Sequence, residues 1–334
     1  MNADIGLPEE VTMSRHEREA SLLRHWRLSR RRLLHLAAAA GLGLGLGGPA
    51  LGAAGGAAGG SMRQRPIPST GERIPVVGLG TSDAFETMPG ESLAPLEEVM
   101  RLFVAHGGRL IDTSPTYGNA EEVIGRLADQ FGVTDELFLA TKVHEVGEEQ
   151  GIEQMERSER LLRRRRLDLI QVHNLIDVDT QLKTLRAWKD SRRIRYLGIT
   201  HYQTYAFGAL ERLMRREPLD FVQFNYSVVT PDAEQRLLPL ARDKGVAVII
   251  NRAFEDGRLF YRTRGKPLPE WAREFDCKSW AQFALKYVLA NPAVTCVIPA
   301  TSKPKHLVDN MAAGVGGLPD AAMQRRMREY LQRL

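Results

Sequence analysis

The sequence predicts an α/β fold, a (β/α)8 TIM barrel with a short N-terminal β-hairpin, and three observations carry that prediction. Past residue 62, eight short apolar runs start roughly 25–35 residues apart, with one wider gap before the last. The runs are apolar on both faces, as strands covered by helices on each side must be. Between them lie segments with apolar residues at helical spacing, such as EEVIGRLADQF (121–131) and QLKTLRAWKDS (181–191). An open doubly wound sheet is the runner-up. It is weakened because VVGLGTS supplies Gly78 and Gly80 but no third glycine opening a helix, so the phosphate-binding GxGxxG turn is missing.

The elements follow in order. Arg65-Pro66-Ile67-Pro68, a Ser69-Thr70-Gly71-Glu72 turn and Arg73-Ile74-Pro75 read as the hairpin. The barrel strands are then VVGLG (76–80), GRLID (108–112), LFLATK (137–142), LDLIQVH (167–173), RYLGIT (195–200), DFVQFN (220–225), VAVII (246–250) and TCVIP (295–299). The wide gap before the last strand must hold extra structure. The chain therefore divides into a leader and tether over 1–60 and a barrel over 61–334.

With 334 residues, 43% hydrophobic and 26% charged, the chain is long enough for one large core. A net charge of +5 is too modest to point to nucleic acid. The basic run Arg163–Arg166 closes the helical pattern ERSERLLRRRR, where cations suit a solvated helix C-terminus better than they indicate a polyanion site. Cys277 and Cys296 show no metal-ligand spacing and sit in apolar patterns; buried free thiols are expected, with a disulfide as the alternative. No metal site is expected.

Residues 26–51 place a basic cluster, Arg27 to Arg32, before a stretch of Ala, Leu and Gly. That order is the plan of an export signal. Ser29-Arg30-Arg31-Arg32-Leu33-Leu34 resembles the twin-arginine signal, which implies passage of a folded, cofactor-loaded protein through the twin-arginine export machinery. The stretch is too glycine-rich for a stable membrane span. AAGGAAGGS (53–61) reads as a flexible tether. A periplasmic or otherwise exported location is expected, or a cytoplasmic one if translation starts at Met62.

The strand ends carry the chemistry. In a barrel of this kind they converge on one mouth. The second barrel strand delivers Asp112, with Tyr117 in its loop; the third delivers Lys142; the fourth delivers His173. Reducing a carbonyl needs a hydride on carbon and a proton on oxygen. A phenol with a reference pKa near ~10 is a reluctant donor, and a nearby ammonium makes it a better one. Lys142 supplies that charge, Asp112 keeps the lysine protonated, and a neutral His173 orients the carbonyl.

In these positions the chain resembles the aldo-keto reductases, (β/α)8 barrels that use NAD(P)H to interconvert carbonyls and alcohols. The resemblance runs from about Arg65 to about Ala313, opening with RPIPSTGERIPVVGLGTS. It implies a tetrad of Asp112, Tyr117, Lys142 and His173 and a small carbonyl or alcohol substrate. It also implies cofactor contacts. Gly80 and Thr81 match the first strand-to-helix turn. Thr200 and His201 in GITHY (198–202), with Gln223 in VQFNYS (222–227), match the residues around the nicotinamide carboxamide. Thr301, Lys303, His306, Asp309 and Asn310 in VIPATSKPKHLVDN (297–310) match the grip on the adenosine end.

Two departures affect the cofactor. Many members stack a Tyr on the nicotinamide where VIINRAF has Asn251, followed by Arg252. Members selective for NADPH often carry Lys where this chain has Ala300 and Arg where it has His306. Lys303 and Arg252 are placed to restore that charge, so NADP(H) is expected ahead of NAD(H). The resemblance leaves two other readings, a cofactor-binding redox sensor with little turnover and a Schiff-base lyase using Lys142. Phe85, Phe254, Phe260, Tyr261 and Trp271, in the long strand-end loops, are candidate pocket walls.

Overall fold

A computed structural model describes residues 61–334; the leader read as an export signal, residues 1–60, lies outside the described residues. The hairpin is present. Strands β1 (Gln64–Pro66) and β2 (Arg73–Pro75) pair antiparallel with Arg65 opposite Ile74. Gly71 takes the positive φ of 77° that their turn requires.

Eight parallel strands follow in sequential spatial order: β3 (Leu79–Gly80), β4 (Leu110–Asp112), β5 (Phe138–Val143), β6 (Leu169–His173), β7 (Tyr196–His201), β8 (Phe221–Asn225), β9 (Ala247–Asn251) and β10 (Cys296–Val297). Each falls on one of the eight predicted runs, with β5, β7 and β9 reaching one residue beyond. The two ends of the sheet meet: Val77 bridges Val297, Gly80 bridges Ala300, and Gly78 N–H donates to the Val297 carbonyl at 2.9 Å. Closure leaves no exposed edge and makes the sheet a barrel.

Helices α1 (Ala94–Ala105), α2 (Ala120–Phe131), α3 (Glu148–Leu161), α4 (Val178–Asp190), α5 (Phe207–Arg216), α6 (Leu237–Lys244), α7 (Arg258–Arg262), α8 (Trp280–Ala290), α9 (Pro304–Ala312) and α10 (Ala321–Gln332) complete the described chain. The wide gap before β10 holds α7 as well as α8. Among the described residues no helix is long and apolar enough to cross a membrane.

Two apolar clusters reflect the period-2 alternation of the strands. Outward residues such as Leu139, Ile170, Val172, Leu197, Ile199 and Val222 pack under the helices. Inward residues, including Leu110, Phe138, Leu169, Tyr196, Phe221 and Ile249, fill the barrel, and Ile67 and Ile74 of the hairpin join them as its floor. Phe138, Tyr196 and Phe221 contact one another with ring centroids 5.5–5.9 Å apart. Gly198 is needed among them: a Cβ there would lie 2.6 Å from the Phe221 carbonyl oxygen.

Helix α3 stops before the arginine run instead of ending in it. Arg163 has a φ of +54° and pairs with Asp129 at 2.6 Å, and Arg164 donates to the Leu137 carbonyl at 2.8 Å. The run is thus a turn, partly tied down. Cys277 and Cys296 are both free and buried, and burial pushes both thiols upward, Cys277 to about 11.

Candidate active site

The inward sets of β5 to β8 each end in a polar residue. Along β5 it reads Phe138, Ala140, Lys142; along β6, Leu169, Gln171, His173; along β7, Tyr196, Gly198, Thr200; along β8, Phe221, Gln223, Asn225. Lys142 registers with Gln171, His173 with Thr200, and Thr200 with Gln223. Apolar floor and polar rim therefore come from one alternation.

Asp112 is the hub. Lys142 Nζ donates to its Oδ1 at 2.6 Å, and the amides of Gln223 and Gln171 donate to Oδ2 at 2.8 and 3.1 Å. The ammonium also donates to the Thr113 carbonyl at 2.7 Å, and Thr81 Oγ1 donates to the Asp112 carbonyl at 3.0 Å. Lys142 Nζ lies 4.9 Å from the Tyr117 ring centroid. The Tyr117 ring meets His173 edge-on at 6.0 Å, and His144 meets His173 at 5.1 Å. The four predicted catalytic side chains are thus gathered in one place.

Burial is the largest influence on Lys142, His173 and Tyr117. For Lys142, 1% exposed, burial disfavours the charge, but the Asp112 carboxylate and the Tyr117 oxygen together outweigh it and the ammonium is held above its usual range. Burial lowers His173 to about 2, with the Lys142 charge adding to it, so the ring is neutral. Tyr117 differs from the sequence expectation. Burial raises its phenol and the Lys142 charge only partly offsets this, so the net shift is upward. The lysine opposes the cost of burial and does not produce an acidic phenol in the resting protein.

Above this hub opens a cavity of about 910 Å³, toward the upper end for small-molecule and cofactor sites. Asp112, Tyr117, His173, Gly80, Thr81, Thr200, Gln223, Asn251 and Arg252 line it. Thr200 Oγ1 and Asn251 Nδ2 both donate to Gln223 Oε1 at 3.2 Å. Asn174 Oδ1, Asn251 Oδ1 and Arg252 Nε are buried without a hydrogen-bond partner. Unpaired buried polar atoms are costly. A carboxamide would satisfy the asparagine oxygens and a phosphate the Nε of Arg252, whose terminal nitrogen already pairs with Asp256, so the residues present fit a nicotinamide dinucleotide.

Other predicted positions fall elsewhere. His201 is outward by the alternation that turns Thr200 inward; it stacks on Tyr202 at 5.7 Å and is not in the cavity wall. Thr301, Lys303, His306, Asp309 and Asn310 lie around the start and middle of α9, outside the cavity wall. Among them Asp309 accepts from Gln282 at 2.7 Å, while Lys303 and His306 are exposed. Of the candidate wall aromatics, Phe254 and Phe260 line the cavity with centroids 4.9 Å apart. Phe85 belongs to the core, Tyr261 is 78% exposed, and Trp271 packs on Phe283 and Tyr330.

Sequence reasoning passed over Gln171, Asn174 and Ser114. A polar residue two before His173 in an apolar strand was the available signal for Gln171, since i and i+2 share a face. Asn174 has φ +52°, a conformation asparagine tolerates, which turns the chain at the cavity rim.

The sequence model described as "Aldo/keto reductase family" matches residues 76–328. Aldo-keto reductase YhdN of Bacillus subtilis is 26% identical over 231 residues, covering 64% of this chain and 68% of that protein. L-galactose dehydrogenase of Arabidopsis thaliana is 25% identical over 285 residues, 75% of this chain and 87% of that one. The structure of a Klebsiella pneumoniae aldo/keto reductase in complex with NADP and acetate superposes with a TM-score of 0.66 at 22% identity, covering 78% of this chain and 93% of that one. That likeness bears on the fold.

Proposed function

This chain belongs to the aldo/keto reductase family and is an NAD(P)-dependent oxidoreductase, and we propose that it reduces an aldehyde or ketone to an alcohol, or runs the reverse, with Tyr117 as the proton donor. The observation that carries the reading is the buried Lys142–Asp112 pair, 2.6 Å apart, beneath a phenol and a neutral imidazole at a cavity floor. When bound, NAD(P)H would supply the hydride.

The chain's own residues do the rest. Burial keeps the Tyr117 hydroxyl protonated, the state a donor needs. When its proton passes to the carbonyl oxygen, the phenolate forms beside the Lys142 ammonium, whose charge stabilises it. Asp112 keeps that ammonium charged through the cycle. Neutral His173 is placed to hydrogen-bond the same oxygen. A lysine this buried and paired is also poorly suited to act as an amine nucleophile, which speaks against the lyase reading.

Thr200, Gln223 and Asn251 would hold the carboxamide, Gly80, Thr81 and Arg252 the adjoining part, and Thr301, Lys303, His306, Asp309 and Asn310 the adenosine end. Arg252 and Lys303 favour NADP(H) over NAD(H). NADP in the Klebsiella pneumoniae structure supports this choice. Cofactor oxidation with a panel of aldehydes and ketones tests the reading. Multiple turnover separates an enzyme from a sensor. Tyr117→Phe should lower kcat by about 100-fold or more, the contribution of a general acid, while NADPH affinity stays unchanged; full turnover would remove Tyr117 from its role.

Residues 1–60 are proposed as a leader for twin-arginine export ahead of the 61–334 barrel, on the strength of Arg30-Arg31 before an apolar run. Fractionation of cells making the wild type and the Arg30→Lys, Arg31→Lys chain tests it; export of both equally would sink it.

A further inference from the structure

Ser114 is fully buried two residues after Asp112, and its Oγ lies 3.1 Å from Nδ1 of His173. The same oxygen accepts the Thr116 backbone N–H at 3.2 Å and lies 2.9 Å from Thr116 Oγ1. Ser-Pro-Thr thus folds back on itself in a serine turn. A hydroxyl has one proton to give and two lone pairs. With one lone pair taken by the Thr116 N–H, two closed arrangements remain. In the first, Thr116 Oγ1–H donates to Ser114, and Ser114 donates to Nδ1. In the second, Nδ1–H donates to Ser114, and Ser114 donates to Thr116 Oγ1.

The two arrangements place the imidazole proton differently. A neutral ring bears one N–H. The first arrangement leaves it on Nε2; the second leaves Nε2 bare. A carbonyl oxygen accepts hydrogen bonds and cannot donate one, so only the first makes the ring useful to it. The ring is also held in place, with Tyr117 edge-on at 6.0 Å and His144 at 5.1 Å. Because burial and the Lys142 charge disfavour a second proton on His173, its tautomer and not its charge is the variable to be set.

We propose that Ser114, backed by the Thr116 hydroxyl, is a positioning residue that holds His173 in its Nε2–H tautomer, so that the ring meets substrate as a hydrogen-bond donor. The proposal rests on the carbonyl-reductase reading above, and its test has a readout independent of activity. Nitrogen-15 NMR of the histidine-labelled full chain, with His173 identified by its loss in His173→Gln, reports which nitrogen carries the proton. The expected result is a protonated Nε2 and a bare Nδ1 in the wild type.

Ser114→Ala should mix the tautomers and lower kcat about tenfold, the worth of one neutral hydrogen bond, with cofactor affinity unchanged. Thr116→Val keeps Ser114 but removes its outer donor, and should mix the tautomers less. A wild-type His173 protonated on Nδ1 overturns the proposal, as does an unchanged tautomer in Ser114→Ala. Should Ser114→Ala fail to fold, the wild-type spectrum and Thr116→Val decide. If no carbonyl is turned over but Nε2–H is present and lost with Ser114, the reductase reading fails and the tautomer assignment stands.

Discussion

Asp112→Asn removes half a charge pair without removing volume. Three donors converge on the carboxylate: Lys142 Nζ at 2.6 Å, Gln223 Nε2 at 2.8 Å and Gln171 Nε2 at 3.1 Å. An amide has one acceptor oxygen, so in either orientation its NH2 faces a donor. Breaking a buried pair costs about 3–5 kcal/mol because the remaining charge is stranded. For a barrel of this size that is roughly a 10 °C fall in Tm.

The pH dependence sharpens the test. In the wild type the Lys142 pKa in the folded state is raised above its ordinary value of 10.5, so its stabilisation is fully present below that value and is lost as pH rises through the folded pKa. In the variant the Asp112 charge no longer opposes burial, the largest influence on Lys142, and the folded pKa is expected to fall below the unfolded one. Folding then requires proton release, and stability rises with pH up to the unfolded value. Wild type and variant should therefore converge as pH increases. Thermal unfolding of both proteins by circular dichroism at about pH 7 and about pH 9.5 measures this. A Tm change under about 2 °C, or an equal change at both pH values, would refute the view that Asp112 sustains a buried ammonium.

Two further outcomes follow from the site. His173, held neutral with a pKa of about 2, must gain a proton on acid unfolding, so the wild type should lose stability as pH falls below 6.5. His173→Gln should blunt that loss in melts at about pH 5 and pH 7, and a kcat/KM profile with an inflection near 6.5 that vanishes in this variant would contradict the assignment. Arg252→Ala removes a buried guanidinium Nε without a partner and should weaken NADPH binding about tenfold or more in calorimetric titration, as for a hydrogen bond to a charged group. An unchanged Kd would take Arg252 out of the cofactor site.

The barrel was legible because its cause is local. Runs such as LFLATK and LDLIQVH are mostly apolar and end in a charged or ionisable residue, and eight of them at near-even spacing admit few other folds. Asp112, Lys142 and His173 were legible for the same reason, each being the polar end of an apolar run. Tyr117 had no such periodic signal and was read from the loop that follows Asp112, while Arg252 depended on the resemblance. His201 shows the limit. The string GITHY offers two polar residues at a strand end, and alternation puts them on opposite faces; the barrel decides which face is inward, pairing Thr200 with Gln223 at the cavity and His201 with Phe224.

The remaining decisions were tertiary. Gln223 was expected beside a cofactor, yet its amide also meets Asp112, a residue 111 positions away. The Tyr117 phenol was expected to be made acidic by its lysine; burial reversed the sign, and burial depends on everything packed around it. Sequence alone determined which side chains stand at the strand ends, since alternation and strand length are properties of a short stretch. Only the closed barrel decided which of them touch, how dry their surroundings are and which way their protons move, because distances and desolvation are set by chain segments far apart in sequence.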